Sequence, residues 1–454
     1  MSKTERISKH THMARLDDGR CLFLSNVPND NIVSSIVWNA GGRNWETMPQ
    51  TVGNVRIVPF GWNNDLPTFI RDIVGDNNLV PGILNRQLGL LWGQGPQLYK
   101  LGFADDRIVK MWQEDKDVMA WLESWDYKSY LRGAIIDYLN LGGFFDAKYL
   151  ERGHRIGLRP KIAMLEHISA KNARLEWPEN GSNSIADVKH IVVGDFEQNC
   201  INTGVRLYPV YDRRNPGLYP VSASYNNLES FARDFYSVPQ FWGALRWILR
   251  GTEIPVIFKY VTDNGINLAY HVHSNDLYWE KKREDIIKAH PDWDDAKIDK
   301  ELANVTKGIL DSMVAVLTGK QNAGKLFHSI DVVDDTGQIH KWEIEPIDQK
   351  IKDFVDSQLK IGEASTSAIT SGMGLHPSLS NIMVNGKLAS GSEMLYAFKL
   401  YLHSDTDIPS DIILESINQA IAFNFPEKDL RLGFYHSSVQ TEESLSAPDR
   451  LKNS

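Results

Sequence analysis

The sequence predicts an α+β protein that is mainly helical, and three observations predict it. Apolar residues recur at helical spacing over long segments, among them 115–141, 293–318 and 347–359. Strand-like runs punctuated by proline and glycine gather between 144 and 225. From Ala364 to Ala389 the chain is rich in Ser, Thr and Gly and carries no charge except Lys387.

Residues 1–52 are weakly patterned and read as an N-terminal arm, with a strand expected at Ile32–Trp38. A helix is predicted from the Trp62–Pro67 stretch through Val74. A second starts at Pro81, carries Ile83, Leu84, Leu88, Leu91 and Trp92, and stops at Gly93-Gln-Gly-Pro96. The segment from Asp115 to Leu141 reads as helix ended by Gly142-Gly143, with Val118, Trp121, Leu122, Leu131, Ile135 and Leu139 on its apolar side. Strands are expected at Phe144–Leu150, Arg159–Leu165, His190–Val193 and Val205–Tyr211. Leu228–Leu249 reads as helix interrupted near Pro239. Ile254–Val261 and Leu268–His273 flank an Asn-Gly turn and read as a hairpin. Two charged amphipathic helices, 277–289 and 293–318, break at His290-Pro291. Lys325–Val333 and His340–Ile344 suggest another hairpin.

The stretch 347–424 organises the rest. A helix with Ile347, Ile351, Phe354, Val355 and Leu359 on one face leads into the uncharged segment, which is longer than a passive connector needs to be. Ser390-Gly-Ser-Glu393 has the form of a capping box. The helix it opens is followed by one that starts near Pro409, where a missing N–H costs little. Residues 437–454 read as a mobile tail.

Composition bounds the function. The 454 residues are 42% hydrophobic and 24% charged, enough for a large core and roughly two to four units. Two cysteines, Cys21 and Cys200, exclude a disulfide scaffold, and neither has a basic or imidazole neighbour to activate it. No apolar run is long enough to span a bilayer, and Met1–Arg6 opens no secretory signal, so a soluble protein of a reducing compartment is expected. A net charge of −9 argues against tight phosphate binding, though not against a wall past which DNA slides.

Three motifs invite chemistry. Gly319-Lys-Gln-Asn-Ala-Gly-Lys325 has the front of a phosphate loop, but Leu326 stands where a magnesium-binding hydroxyl belongs. Helix precedes it and strand follows, so it reads as a glycine-closed helix end. His271 and His273 share a strand face with Asp276 nearby, short of the three or four ligands zinc takes; a solvated strand face is the better reading. The acids at 292–295 sit where a helix starts and suit its dipole, and those at 331–335 sit in a turn; neither pair reads as a glycosidase dyad. No cofactor is expected.

The order of segments resembles the portal proteins of tailed bacteriophages. The resemblance rests on Gly374-Leu-His-Pro377 after a helix, Ser390-Gly-Ser-Glu393 and Ile408-Pro409 after that, and Tyr236–Gly243 and Gly319–Lys325 upstream, in family order over about 55–425. It implies the portal fold of wing, stem, clip, tunnel loop and crown. It further implies a homo-oligomeric ring, usually of twelve, at one capsid vertex of a virion assembled in the host cytoplasm. Terminase large subunit, head–tail connector or adaptor, major capsid and scaffolding protein would be partners, double-stranded DNA would pass through, no membrane would be involved, and the chain itself would catalyse nothing.

Laid on this sequence, the resemblance expects an arm at 1–52, wing at 53–155 and 251–345, and a β-rich clip region with a flanking stem helix at 156–250. Tunnel helix and loop fall at 346–390, crown helices at 391–436 and the tail at 437–454. Within 165–225 the clip should project between stem helices near 127–141 and 228–249. Suspected channel-lining residues are Lys360, Ser365, Thr366, Ser367, Thr370, Ser371 and Lys387. An enzyme acting on polysaccharide or nucleic acid, or another structural virion protein such as a connector or capsid component, remains the alternative.

Overall fold

The computed structural model describes residues 4–6, 11–15, 21–25, 45–104, 107–153, 159–182, 184–198, 204–263, 269–273, 276–317, 332–333, 339–340, 343–347, 351–380 and 391–437. The strand expected at Ile32–Trp38, the Gly319–Lys325 motif, Cys200, Lys387, Ser390 and the tail beyond 437 lie outside them. The chain is α+β and divides into two compact units: residues 1–249 with 366–454, and residues 250–365.

The first unit opens with three short antiparallel strands, β1 (Thr4–Arg6), β2 (Thr11–Arg15) and β3 (Cys21–Ser25). A small hairpin follows, β4 (Gln50–Val52) with β5 (Val55–Ile57). Helix α1 (Leu66–Asp76) has Pro67 in its first turn and buries Leu66, Ile70 and Ile73. Helix α2 (Val80–Trp92) starts where the Asn77 side chain accepts the N–H groups of Leu79 and Val80, at 2.9 and 3.1 Å. It buries Ile83, Leu84 and Leu91. Strands β6 (Pro96–Ala104) and β7 (Arg107–Trp112) form a hairpin that helical periodicity did not reveal.

The helix expected over 115–141 is two helices, α3 (Lys116–Glu123) and α4 (Tyr127–Leu141). Asp115 caps the first and Asp126 the second, and the Trp121 and Trp125 rings meet edge-on at 5.7 Å beside the break. Gly142, at φ +75°, closes α4 in the left-handed conformation that glycine tolerates.

Helix α4 packs on a sheet of β8 (Gly143–Leu150), β9 (Ile162–Ile168) and β13 (Val221–Asn227), with β8 central and all pairs antiparallel. Between β9 and β13 the chain makes a second sheet from β10 (Ala173–Leu175), β11 (His190–Gly194) and β12 (Val205–Pro209). Leu165, Ala173, Leu175, Ile191, Val192 and Ala223 are buried. Described residues of 165–225 therefore help build the core of the first unit, where a projecting clip was expected.

The helix expected over 228–249 is likewise absent as far as Pro239. Glu46 accepts the N–H groups of Asp234 (3.1 Å) and Tyr236 (2.9 Å), and Ser230 accepts that of Val238 (3.1 Å). Side-chain acceptors thus take donors that a helix would have used. A 3-10 turn at Gln240–Ala244 leads into α5 (Leu245–Asp263).

Helix α5 runs into the second unit. The expected strand Ile254–Val261 is part of it: Pro255 lies inside the helix, and among the described side chains Ile254, Ile257 and Phe258 are shielded, three and four residues apart. Its β-branched residues imitate a strand. Strand β14 (Ala269–His273) pairs instead with a distant partner. Helices α6 (Asp276–Ala289) and α7 (Asp295–Leu317) come next, joined at His290-Pro291, where the His290 and Trp293 rings stack at 3.9 Å. Asp294 caps α7 by accepting the Lys297 N–H at 3.1 Å, as its place at a helix start suggests. Strands β15 (Val332–Val333) and β16 (Ile339–His340) pair with each other, and β17 (Glu343–Ile347) pairs antiparallel with β14.

Helix α8 (Ile351–Gly372) returns to the first unit, which finishes with α9 (Gly391–Ser404), α10 (Asp407–Asn424) and β18 (Arg431–Phe434). Strand β18 extends the β6–β7 hairpin on its β6 side. Two asparagines fasten α10. Asn424 exchanges hydrogen bonds with the Ile162 backbone, both 2.8 Å, and Asn418 does the same with Leu432 at 2.7 and 3.2 Å.

Candidate channel-lining segment

The segment singled out in the sequence begins as helix, not as loop. Ser365, Thr366, Ser367, Thr370 and Ser371 all lie in α8, which runs on to Gly372. Ala at 364 and 368 favours helix, and each hydroxyl residue can return its side chain to the preceding turn. Thr370 does so, its Oγ1 donating to the Thr366 carbonyl at 2.8 Å.

The suspected lining residues separate by face. Ser365 and Thr370 are buried, at 1% and 4% exposure, and present no hydroxyl to solvent within the chain. Thr366 is half-buried. Lys360, Ser367 and Ser371 are exposed, and with Ala364 they follow one another at steps of three and four residues, one stripe along the helix. Upstream, Asp353, Asp356 and Glu363 add acids among the exposed positions; after Glu363 the stripe carries only small and hydroxyl side chains. Lys387 lies outside the described residues.

Beyond α8 the chain turns and is tied down. Gly374, at φ +65°, makes the turn, and its N–H donates to the Ser371 carbonyl at 3.2 Å. Leu375, Ser378 and Leu379 are buried. Within the Gly374–Pro377 motif, His376 Nδ1 lies 2.6 Å from the Ser378 hydroxyl. Helix α2 holds the turn at two points: Gln87 Nε2 donates to the Met373 carbonyl at 2.8 Å, and Arg86 Nε to the Leu379 carbonyl at 3.1 Å. A Cβ added at Gly372 would fall 2.6 Å from the Ala244 Cβ, so glycine permits α8 to approach the Gln240–Ala244 turn. Sequence reasoning missed Arg86, Gln87 and Gly372. The two α2 side chains gave no signal, since a polar residue on an amphipathic helix reads as surface.

A second polar cluster lies in the first unit. Lys148 Nζ donates to Asp146 (3.2 Å), Ser224 (2.6 Å) and Ser416 (3.0 Å), and sits 4.4 Å from the centre of the Tyr211 ring. The Tyr130 hydroxyl donates to the other Asp146 oxygen at 2.9 Å. Burial pulls the Lys148 ammonium below its ordinary pKa against the attraction of Asp146, and burial followed by the Asp146 charge pushes the Tyr130 phenol well up. These shifts resemble those of catalytic groups. Yet Lys148 and Asp146 are 1% and 0% exposed and bonded to neighbours, so the cluster locks α4, β8, β13 and α10 together.

His271 and His273 stand opposite Glu345 and Glu343 in the β14–β17 register. Among the described residues no group of three or more His, Cys, Asp or Glu could hold a metal ion, and no helix is long and apolar enough to cross a membrane.

No protein family matches the chain, and no curated protein does. Among solved structures it is similar to a chain in the virion of the native gene transfer agent particle, at 12% identity over 93% of this chain and 92% of that one, with a TM-score of 0.47. It is also similar to a chain in the neck of the empty particle computed with C6 symmetry, at 12% identity over 93% of each chain and a TM-score of 0.49. A third likeness is to the neck of the native particle computed with C12 symmetry, at 11% identity over 89% and 88% of the two chains and a TM-score of 0.47.

Proposed function

We propose that this chain is the portal subunit of a tailed bacteriophage, a non-enzymatic structural protein. A closed homo-oligomeric ring of it would stand at one capsid vertex and pass DNA during packaging and ejection. The observation that carries the reading is the course of the chain after Leu245. One helix, α5, runs into a separate compact unit, a second, α8, runs out of it, and an anchored turn at the family-like Gly374–Pro377 motif follows. The resemblance asks for that order: stem, clip, stem, tunnel loop. In this reading the clip lies at about 264–350 and not at 156–250, and α5 and α8 are the stem helices. Terminase large subunit, the head–tail connector and the capsid and scaffolding proteins remain the proposed partners.

In this reading the exposed stripe of α8 faces the channel. Lys360 sits among acids, and Ser367 and Ser371 offer hydroxyls without charge. Such a wall neither repels phosphate strongly nor binds it through released counterions, so a duplex can slide along it. Ser365 and Thr370, being buried, would support the stripe and not line it.

The reading is tested by a capsid assembly reaction with its terminase. Without this chain no capsid should fill with DNA, and purified chain supplied before assembly should restore filling; normal filling in its absence would refute the proposal. Glutamate at both Ser367 and Ser371 should leave ring formation intact and lower the DNA packaged per particle. Unchanged DNA content would move the lining elsewhere in the chain.

A further inference from the structure

A cavity of about 540 Å³ in the first unit lies between the β6–β7–β18 sheet and α9. Trp112, Phe398 and Phe434 give it aromatic walls, and Lys110, Lys399 and His403 stand at it. Asp407 is its one carboxylate-bearing lining residue. Among the described residues no carboxylate pairs with Lys110 or Lys399, and both are exposed. The volume and the mixture of apolar walls with a few polar groups are those of a binding pocket. Its excess of cations asks for an apolar group flanked by acids.

The same chain presents one. Phe231 is 100% exposed at the tip of the turn 228–237, so it does not fill its own chain's pocket. Glu229 and Asp234 are exposed on either side of it. The turn is fixed. Ser237 Oγ donates to the Leu228 carbonyl, the Arg233 N–H donates to Ser230 at 3.1 Å, and Glu46 takes the Asp234 N–H at 3.1 Å. Ala232 holds φ +57°, a conformation that alanine rarely adopts, and Arg233 lies inward over the Trp45 ring at 3.8 Å. Because the backbone of the turn is already tied down, binding would have to order only the rotamers of the Phe231 ring.

We infer that Phe231 of one copy enters the Trp112–Phe398–Phe434 pocket of a second copy, with Glu229 and Asp234 meeting Lys110 and Lys399. This deepens the portal reading and rests on it for the identity of the partner. The two surfaces differ, so the contact is head-to-tail: each copy gives a knob to one neighbour and a pocket to the other, the arrangement that closes into rings. The cations around the pocket make the contact weaken with salt.

The test uses the full chain and measures mass against concentration. Wild type should assemble into a closed ring. Phe231→Asp (knob lost) and the double variant Lys110→Glu with Lys399→Glu (pocket reversed) should each raise the concentration for half-assembly by about tenfold or more, a change of about 1.4 kcal/mol. Circular dichroism should show both still folded. The two variants mixed in equal amounts share one intact contact per pair, and should form dimers and stop. Glu229→Lys should weaken assembly, and adding Lys399→Glu to it should restore much of the loss. Rings that assemble normally from Phe231→Asp would overturn this contact while leaving the portal reading standing. A wild type that stays monomeric at every concentration would overturn both.

Discussion

Lys148 sits in an environment unusual for its type. An ammonium group 1% exposed survives because Asp146, Ser224 and Ser416 surround it. Removing the charge of its partner while keeping its shape, as in Asp146→Asn, leaves that ammonium buried without a counter-charge. The expected loss is about 3–5 kcal/mol, read from urea unfolding; a loss below about 1 kcal/mol would mean that water reaches the cluster. The tyrosines make a second residue-scale prediction. Burial pushes the phenols of Tyr138 and Tyr211 from 10.0 to about 12, and those of Tyr225, Tyr236 and Tyr401 higher still. Each folded pKa lies above its unfolded value. Their contribution to stability is therefore complete below pH 10 and lost as pH rises through the folded values, about 12 for Tyr138 and Tyr211 and higher for the other three. Phenolate absorbance should show the buried tyrosines ionising only with cooperative unfolding; their ionisation in the folded chain at the ordinary phenol value of about 10 would contradict the burial.

At the scale of the element, Gly372 decides how α8 meets the Gln240–Ala244 turn. A methyl group there would lie 2.6 Å from the Ala244 Cβ, so Gly372→Ala should cost about 1–3 kcal/mol by forcing the two apart. Exposed Ser371→Ala, one residue away, should change stability by no more than about 0.5 kcal/mol, as both can be measured by thermal or urea melts. The same elements show what a sequence reader can and cannot see. Helices α1, α2, α6, α7 and α10 were legible because proline, aspartate or glycine marks an end of each and their apolar faces are periodic. Strands β8, β11 and β12 were legible from their β-branched and aromatic runs. Ile254–Val261 deceived because isoleucine and valine look like strand, whereas the chain there is helix with Ile254, Ile257 and Phe258 shielded. The helix expected at 228–239 failed for a reason no local pattern contains, a carboxylate from Glu46 taking its backbone donors. In the candidate segment, hydroxyl-rich sequence suggested loop, whereas helical continuation from Ile351 carries those residues to Gly372. Their chemistry was readable and their faces were not.

At the scale of the whole molecule, the division of the chain was the least legible feature. The second unit closes through β14 and β17, strands at opposite ends of it with α6 and α7 between, and nothing local to 269–273 names 343–347 as its partner. The surface tells more. Phe103 and Ile108, opposite each other on the β6–β7 hairpin, are 83% and 67% exposed, and Tyr396 and Leu400 on α9 are 71% and 67% exposed, large apolar side chains that the chain itself leaves bare. Under the portal reading proposed above, those side chains would be covered by neighbouring copies, and the net charge of −9 would leave DNA free to slide. Aspartate at both Phe103 and Ile108 should lower assembly while leaving the circular dichroism of the chain unchanged, a combination that a purely internal role for the hairpin would not produce. The most direct measurement is electron microscopy of the purified full-length chain, averaged down the particle axis and paired with its mass in solution. Closed rings with cyclic symmetry, about a dozen subunits and a central hole wide enough for duplex DNA are expected. Monodisperse monomers with no rings in the images would contradict it.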